Sequence, residues 1–247
     1  MDQPRMSSPT HPVARRATAE GIGTATLVAT VVGSGIMATR LTTDVGLQLL
    51  INALATVASL AVLIWSLGPI SGAHFNPAVT LVATARGEIR RTEAGLYVTA
   101  QVLGALVGTL IAHLMFDHPA LTLSPRHRAG FGQWLGEFVA TAGLLALIGA
   151  LTRTQLGRLG PALVPAWIGA AYFFTSSTSF ANPAVTIGRS LTDTFSGIAP
   201  TDVPAFIAAQ LLGAALGAGL TELFYPRSTT PEPLDLPAPV HPPSPEA

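Results

Sequence analysis

The strongest constraint on how this chain folds is a block that occurs twice. Asn76-Pro77-Ala78-Val79-Thr80-Leu81 returns as Asn182-Pro183-Ala184-Val185-Thr186-Ile187. Ala100-Gln101, followed by Gly104-Ala105, returns as Ala209-Gln210 with Gly213-Ala214, and Glu20 with Thr24 returns as Glu137 with Thr141. The matches keep their order along the chain. Chance does not produce that in an Ala/Gly-rich sequence, so the chain is an internal duplication and its fold must accommodate two like halves.

The material of those halves excludes an ordinary soluble domain. Charged residues make up 11% and apolar residues 49% of the chain, against about 25% charged in a typical soluble domain, and mean hydropathy is +0.50. Long apolar segments run over 18–38, 46–67, 94–116, 131–151, 161–180 and 202–224, each near the ~20 residues that cross a ~30 Å hydrocarbon core. Two shorter segments, 76–86 and 182–192, cannot cross and read as re-entrant pieces. The expectation is an all-α membrane protein of six transmembrane helices plus two re-entrant half-helices. Each half holds an odd number of crossings, so the second enters from the opposite side and the repeat is inverted. In inverted repeats, paired interrupted segments mark the solute path. The expected layout is a polar N-terminal tail over 1–17, a channel domain over 18–225 with repeats about 18–116 and 131–225, and a disordered Pro-rich tail over 226–247.

Arginine placement sets the expected orientation. The N-terminus, the 68–92 and 152–160 loops and the C-terminal tail hold nine Arg, and the other loops hold four. Short Arg-rich loops stay inside, which puts both termini in the cytoplasm. Net charge is zero and no basic block is present, so nothing suggests a nucleic-acid partner. Cysteine is absent and no residues have metal-ligand spacing, so neither a metal nor a cofactor is expected.

Asn-Pro-Ala suits a helix that starts inside a membrane. Asn is a favoured N-cap, and Pro at the first helical position lacks the N–H that would otherwise go unpaired. Asn76-Pro77 and Asn182-Pro183 can each start a short helix abruptly, and Ala78 and Ala184 are small enough to let the two starts meet. Opposed positive dipole ends disfavour cations, while the two Asn amides offer N–H donors to a solute in single file. Backbone carbonyls left free before each start are tolerable at this depth only beside a water-filled path. The arrangement suits small neutral hydrogen-bonding solutes.

On Ser71–Thr80, Thr178–Thr186, the paired Glu-xxx-Thr starts and the paired Ala-Gln-xx-Gly-Ala stretches, residues 17–225 resemble the major intrinsic protein superfamily of aquaporins and glycerol facilitators. The resemblance implies an aquaporin-like fold, one pore per subunit, a homotetramer in the lipid bilayer, and loop-supporting roles for Glu20 and Glu137. His74, two residues before Asn76, either fixes the same loop by hydrogen bonding, which is preferred, or acts as a titratable gate at the mouth. The resemblance also implies a selectivity ring, which counting from the two Asn landmarks puts at Thr56, Ala170, Ser179 and Val185, with Tyr172 the neighbour if the count slips at Ala170. Most members carry Arg where this chain has Val185, so the expected ring is wide and uncharged. Arg189, one turn on, either reaches back toward the pore mouth or is an ordinary interfacial arginine, and the second reading is preferred. The Asn-Pro-Ala-Val-Thr-Ile-Gly-Arg segment resembles the bacterial branch linked to arsenic resistance, which implies undissociated arsenite, methylated arsenicals or small polyols as solutes. A general glycerol, urea or water channel is the alternative. A coupled transporter would need midplane carboxylates, and Glu20 and Glu137 sit near span starts. The spans hold no constellation suited to an enzyme.

Overall fold

The structure is a computed structural model that describes residues 11–227; the expected tails lie for the most part outside those residues. Among the described residues the α-helices are α1 Val13–Leu41, α2 Val45–Ser71, α3 Pro77–Ala85, α4 Arg91–Met115, α5 Phe131–Arg153, α6 Gly160–Phe174, α7 Pro183–Arg189 and α8 Val203–Phe224, joined by turns and irregular chain. The two predicted half-helices are α3 and α7. Five of the others are long and apolar enough to cross a membrane. The sixth, α6, has 15 residues and is about 22 Å long at 1.5 Å per residue. The sequence extends this span to 180, but the helix stops at Phe174, where Thr175 turns extended. The remaining residues form an irregular run that leads back toward α7.

Each half is built on one tight helix pair, and the glycines of the repeat explain why. A methyl group on Gly104 or Gly108 of α4 would lie 2.3 Å from the carbonyl oxygen of Gly21 or Ala25 on α1. A methyl group on Gly213 or Gly217 of α8 would likewise lie 2.3 Å from the carbonyl oxygen of Phe138 or Ala142 on α5. Without Cβ atoms, the two backbones of each pair touch directly, and close dispersion contact replaces the hydrophobic drive that lipid cannot supply. The outer helix faces carry exposed Leu54, Trp65, Phe131, Leu212 and Leu223. In water such a surface would be an aggregation hazard, whereas hydrocarbon solvates it.

The polar N-terminal tail is shorter than 1–17, because α1 already begins at Val13. Arg16 is buried: its Nη1 lies 3.2 Å from Glu93 Oε2, and its Nε donates to Tyr97 Oη at 2.9 Å. Tyr97 Oη in turn donates to the Ser71 carbonyl at 2.9 Å. This chain of bonds ties the start of α1 to α4 and to the end of α2. Arg16 therefore belongs to the first helix and not to the tail.

Candidate functional site

The two Asn-Pro-Ala starts meet inside the bundle. Asn76 Oδ1 accepts from Ala78 N at 2.9 Å, and Asn182 Oδ1 accepts from Ala184 N at 3.0 Å, each capping its own half-helix. The amide nitrogens cross to the other repeat. Asn76 Nδ2 donates to the Ala181 carbonyl and Asn182 Nδ2 to the Phe75 carbonyl, both at 2.8 Å. Ala78 and Ala184 are fully buried at the meeting point. Those two carbonyls can point inward because the chain before each Asn is forced into the left-handed region. Ala73 and Phe75 have φ of 50° and 47°, and their repeat mates Ser179 and Ala181 have 52° and 48°. Non-Gly residues adopt such angles at a cost that the surroundings must over-determine.

A buried carboxylate in each half supplies that over-determination. Glu20 Oε1 accepts from Ser71 Oγ at 2.6 Å and His74 N at 3.0 Å, while its Oε2 accepts from Phe75 N at 2.6 Å and Gln101 Nε2 at 2.8 Å. Glu137 accepts from Phe180 N and Ala181 N at 2.8 Å each and from Gln210 Nε2 at 2.6 Å. Gln101 and Gln210 also donate to Thr80 Oγ1 and Thr186 Oγ1 of the half-helices, both at 2.9 Å. Charge-assisted bonds of this kind are short and strong, and they hold a strained loop in place. His74 is half-buried beside the cavity; its Nδ1 lies 3.1 Å from Thr80 Oγ1 and its ring packs edge-on against Tyr97.

A cavity of about 270 Å³ runs past both Asn residues. Toward the end that bears the termini it is lined by Arg86, Glu88 and Thr152, and toward the other end by Thr56, Ser179, Val185 and Arg189. Partial desolvation shifts the Glu88 carboxyl upward, against the pull of Arg86. Three of the four expected ring residues thus line the cavity. The fourth does not. Ala170 is exposed on the outside of α6, and Tyr172 lines the cavity in its place. The Tyr172 and Thr56 hydroxyls are 3.1 Å apart. The rotation of α6 accounts for the difference: Trp167 Nε1 donates to the Ala140 carbonyl at 2.9 Å, and its ring fills the notch over Gly143 of α5. With Trp167 fixed there, Ile168 and Tyr172 turn inward together, one turn apart. The Ser179 hydroxyl is buried and has no protein partner among the described residues.

Arg189 is also not interfacial. It is 3% exposed, its guanidinium carbon lies 3.4 Å from the centroid of the Phe180 ring, and its Nε donates to the Ser196 carbonyl. Arg128, from the connection between α4 and α5, sits 5.1 Å from the centroid of the same ring, and its Nε donates to the Gly197 carbonyl at 2.8 Å. Burial pushes the Arg128 guanidinium down to about 10, which still leaves it charged near neutrality. Neither Phe180 nor Arg128 carried any signal in the sequence. Gln101 and Gln210 did, since a buried Gln repeated at matched positions in two apolar spans marks a shared polar task.

The comparisons agree with this architecture. The family described as Major intrinsic protein matches residues 7–180. The chain is 53% identical over 224 residues to "Aquaglyceroporin AqpS" of Rhizobium meliloti, covering 88% of this chain and 96% of that one. It is 30% identical to the "Glycerol uptake facilitator protein" of Pseudomonas aeruginosa, covering 86% and 89%. Among solved structures, the X-ray structure of the aquaglyceroporin from Plasmodium falciparum superposes with a TM-score of 0.64 at 20% identity, covering 87% of this chain and 96% of that one.

Proposed function

This chain belongs to the major intrinsic protein family, as an aquaglyceroporin-type membrane channel for small solutes, and on that premise we propose that its solutes are neutral, oxygen-rich molecules larger than water. Undissociated arsenite, methylated arsenicals and small polyols fit that description. The observation that carries the reading is the cavity wall level with Val185, where Thr56 and Tyr172 hydroxyls, Ser179 and the Val185 side chain face the path. Val at that position takes up less room than Arg and removes a fork of N–H donors. What remains is mildly polar, with hydroxyls that can replace part of a solute's hydration shell.

A proton- or sodium-coupled transporter fits less well. Both buried carboxylates are saturated with donors from loop backbone and Gln side chains, so neither is free to exchange a proton along the path. The homotetramer implied by the family, insertion in the inner membrane, and cytoplasmic termini belong to the same reading. Orientation rests on the Arg distribution.

The test is flux into proteoliposomes holding the full-length protein, with arsenite, glycerol and water read on one preparation near neutral pH. Rapid arsenite and glycerol entry is expected. Val185→Arg should cut both by about tenfold or more, the scale of a misfit in a close-fitting site, while water flow falls much less. Equal loss of all three, or no change, would sink the ring assignment. Glycerol entry without arsenite entry would keep the channel and discard the arsenical solutes.

A further inference from the structure

We infer that Arg189 supplies the fixed positive charge of the constriction, so that this channel bars cations and protons one helical turn beyond Val185. The inference rests on the channel reading and deepens it by assigning the barrier to a residue. Three observations carry it.

Arg189 lines the same cavity as Val185 and Tyr172, from the last turn of α7. It is therefore on the path, although the residue itself is buried. Its charge is also uncompensated. No carboxylate lies within ion-pair distance of it among the described residues. Glu137 is taken up by Phe180 N, Ala181 N and Gln210. Asp202 accepts from Arg128 N at 2.7 Å and lies 3.2 Å from His127 Nδ1. A buried cation without a partner is costly and usually marks a functional group.

The third observation is its orientation. The guanidinium lies over the Phe180 ring, and Nε alone has a protein acceptor. Its terminal amino groups have no acceptor among the described residues and are not sealed from the cavity. Arg128, 5.1 Å from the centroid of the same ring, adds a second charge of the same sign and offers Arg189 no counter-charge. A field of this kind in a narrow path with low-dielectric walls repels cations strongly while leaving neutral solutes free to accept its N–H donors. The position after the second Asn-Pro-Ala can then hold Val without opening the pore to ions.

Full-length protein in proteoliposomes tests this, with proton leak read by an internal pH dye under an imposed potential and glycerol flux read in parallel. Wild type should admit glycerol with little proton leak. Arg189→Leu should raise the leak by about tenfold or more, as loss of a unit charge in a poorly screened site implies, whereas Arg189→Lys should keep the leak near the wild-type level. An Arg189→Leu channel that passes glycerol with unchanged leak overturns the inference. If that variant does not insert, Val185→Glu provides the decision, because it leaves Arg189 in place and sets a carboxylate one turn away. A rise in leak then supports the inference, and an unchanged leak overturns it. Absence of glycerol flux in wild type would instead defeat the channel reading itself.

Discussion

Glu137→Leu is expected to yield protein that reaches the membrane but neither conducts glycerol nor withstands mild heating in detergent. The leucine is near in volume, so packing changes little and the loss is polar. Phe180 N and Ala181 N lose their acceptor, and Gln210 Nε2 loses one of its two, keeping Thr186 Oγ1. Each buried donor left unsatisfied costs about 1–3 kcal/mol, and together the loss is on the order of 5 kcal/mol. That is a large share of the 5–15 kcal/mol by which a typical domain is stable. The loop that loses its tether also holds Thr178, Ser179 and Ala181 at positive φ, and those angles relax when nothing enforces them. The Asn182 amide should then lose its place beside the Phe75 carbonyl. Glu137→Gln, which keeps one acceptor oxygen and adds a donor, should fall between the two. Thermal midpoints in detergent and glycerol flux in liposomes are the readouts. A Glu137→Leu protein with wild-type flux would show that the carboxylate is dispensable to the loop.

Gly104→Val should be comparably severe through a different cause. The new Cβ would lie 2.3 Å from the Gly21 carbonyl and 3.2 Å from the Ala25 nitrogen, and backbone cannot rotate away as a side chain can. The α1 and α4 axes would have to separate, taking Gln101 out of reach of Glu20. Overpacking of well-packed side chains costs about 1–3 kcal/mol, and a backbone clash sits at or above the top of that range. Gly213→Val should repeat the effect in the second half, where the Phe138 carbonyl lies 2.3 Å away. Gly95→Val on α4 and Gly219→Val on α8 meet nothing within 4 Å and should fold. Recovery of monodisperse protein from detergent separates the two pairs. Equal recovery of all four would show that the small-residue faces are not what holds the helix pairs.

Features that repeat were legible in the sequence, because duplication doubles every signal. Asn76 and Asn182, Glu20 and Glu137, and the four glycines each occur at matched positions, and physics gives the members of each pair the same task. Features that occur once were not. Counting puts Ala170 in the ring, yet the rotation of α6 is set by Trp167 in its notch on α5, a tertiary contact that no offset encodes. The sequence alone does not decide between a pore-mouth and an interfacial Arg189. Its burial depends on the aromatic face of Phe180 and the carbonyl of Ser196, which come from irregular chain on either side of α7. The fifth apolar segment overruns its helix for a related reason: residues 175–180 are apolar or small, but Glu137 holds the Phe180 N–H in an irregular run.

The crossed amide bonds at the centre have a consequence for how such a gene can drift. Asn76 needs a carbonyl that the second repeat provides, and Asn182 needs one from the first. Neither ancestral unit can complete its own centre, and a backbone shift in one loop misplaces the side chain of the other. The halves are free to diverge at their rims, where Arg189 has no counterpart and Ile187 answers Leu81. At the core they must change together, so the duplication works less as two copies than as the two sides of a single clasp.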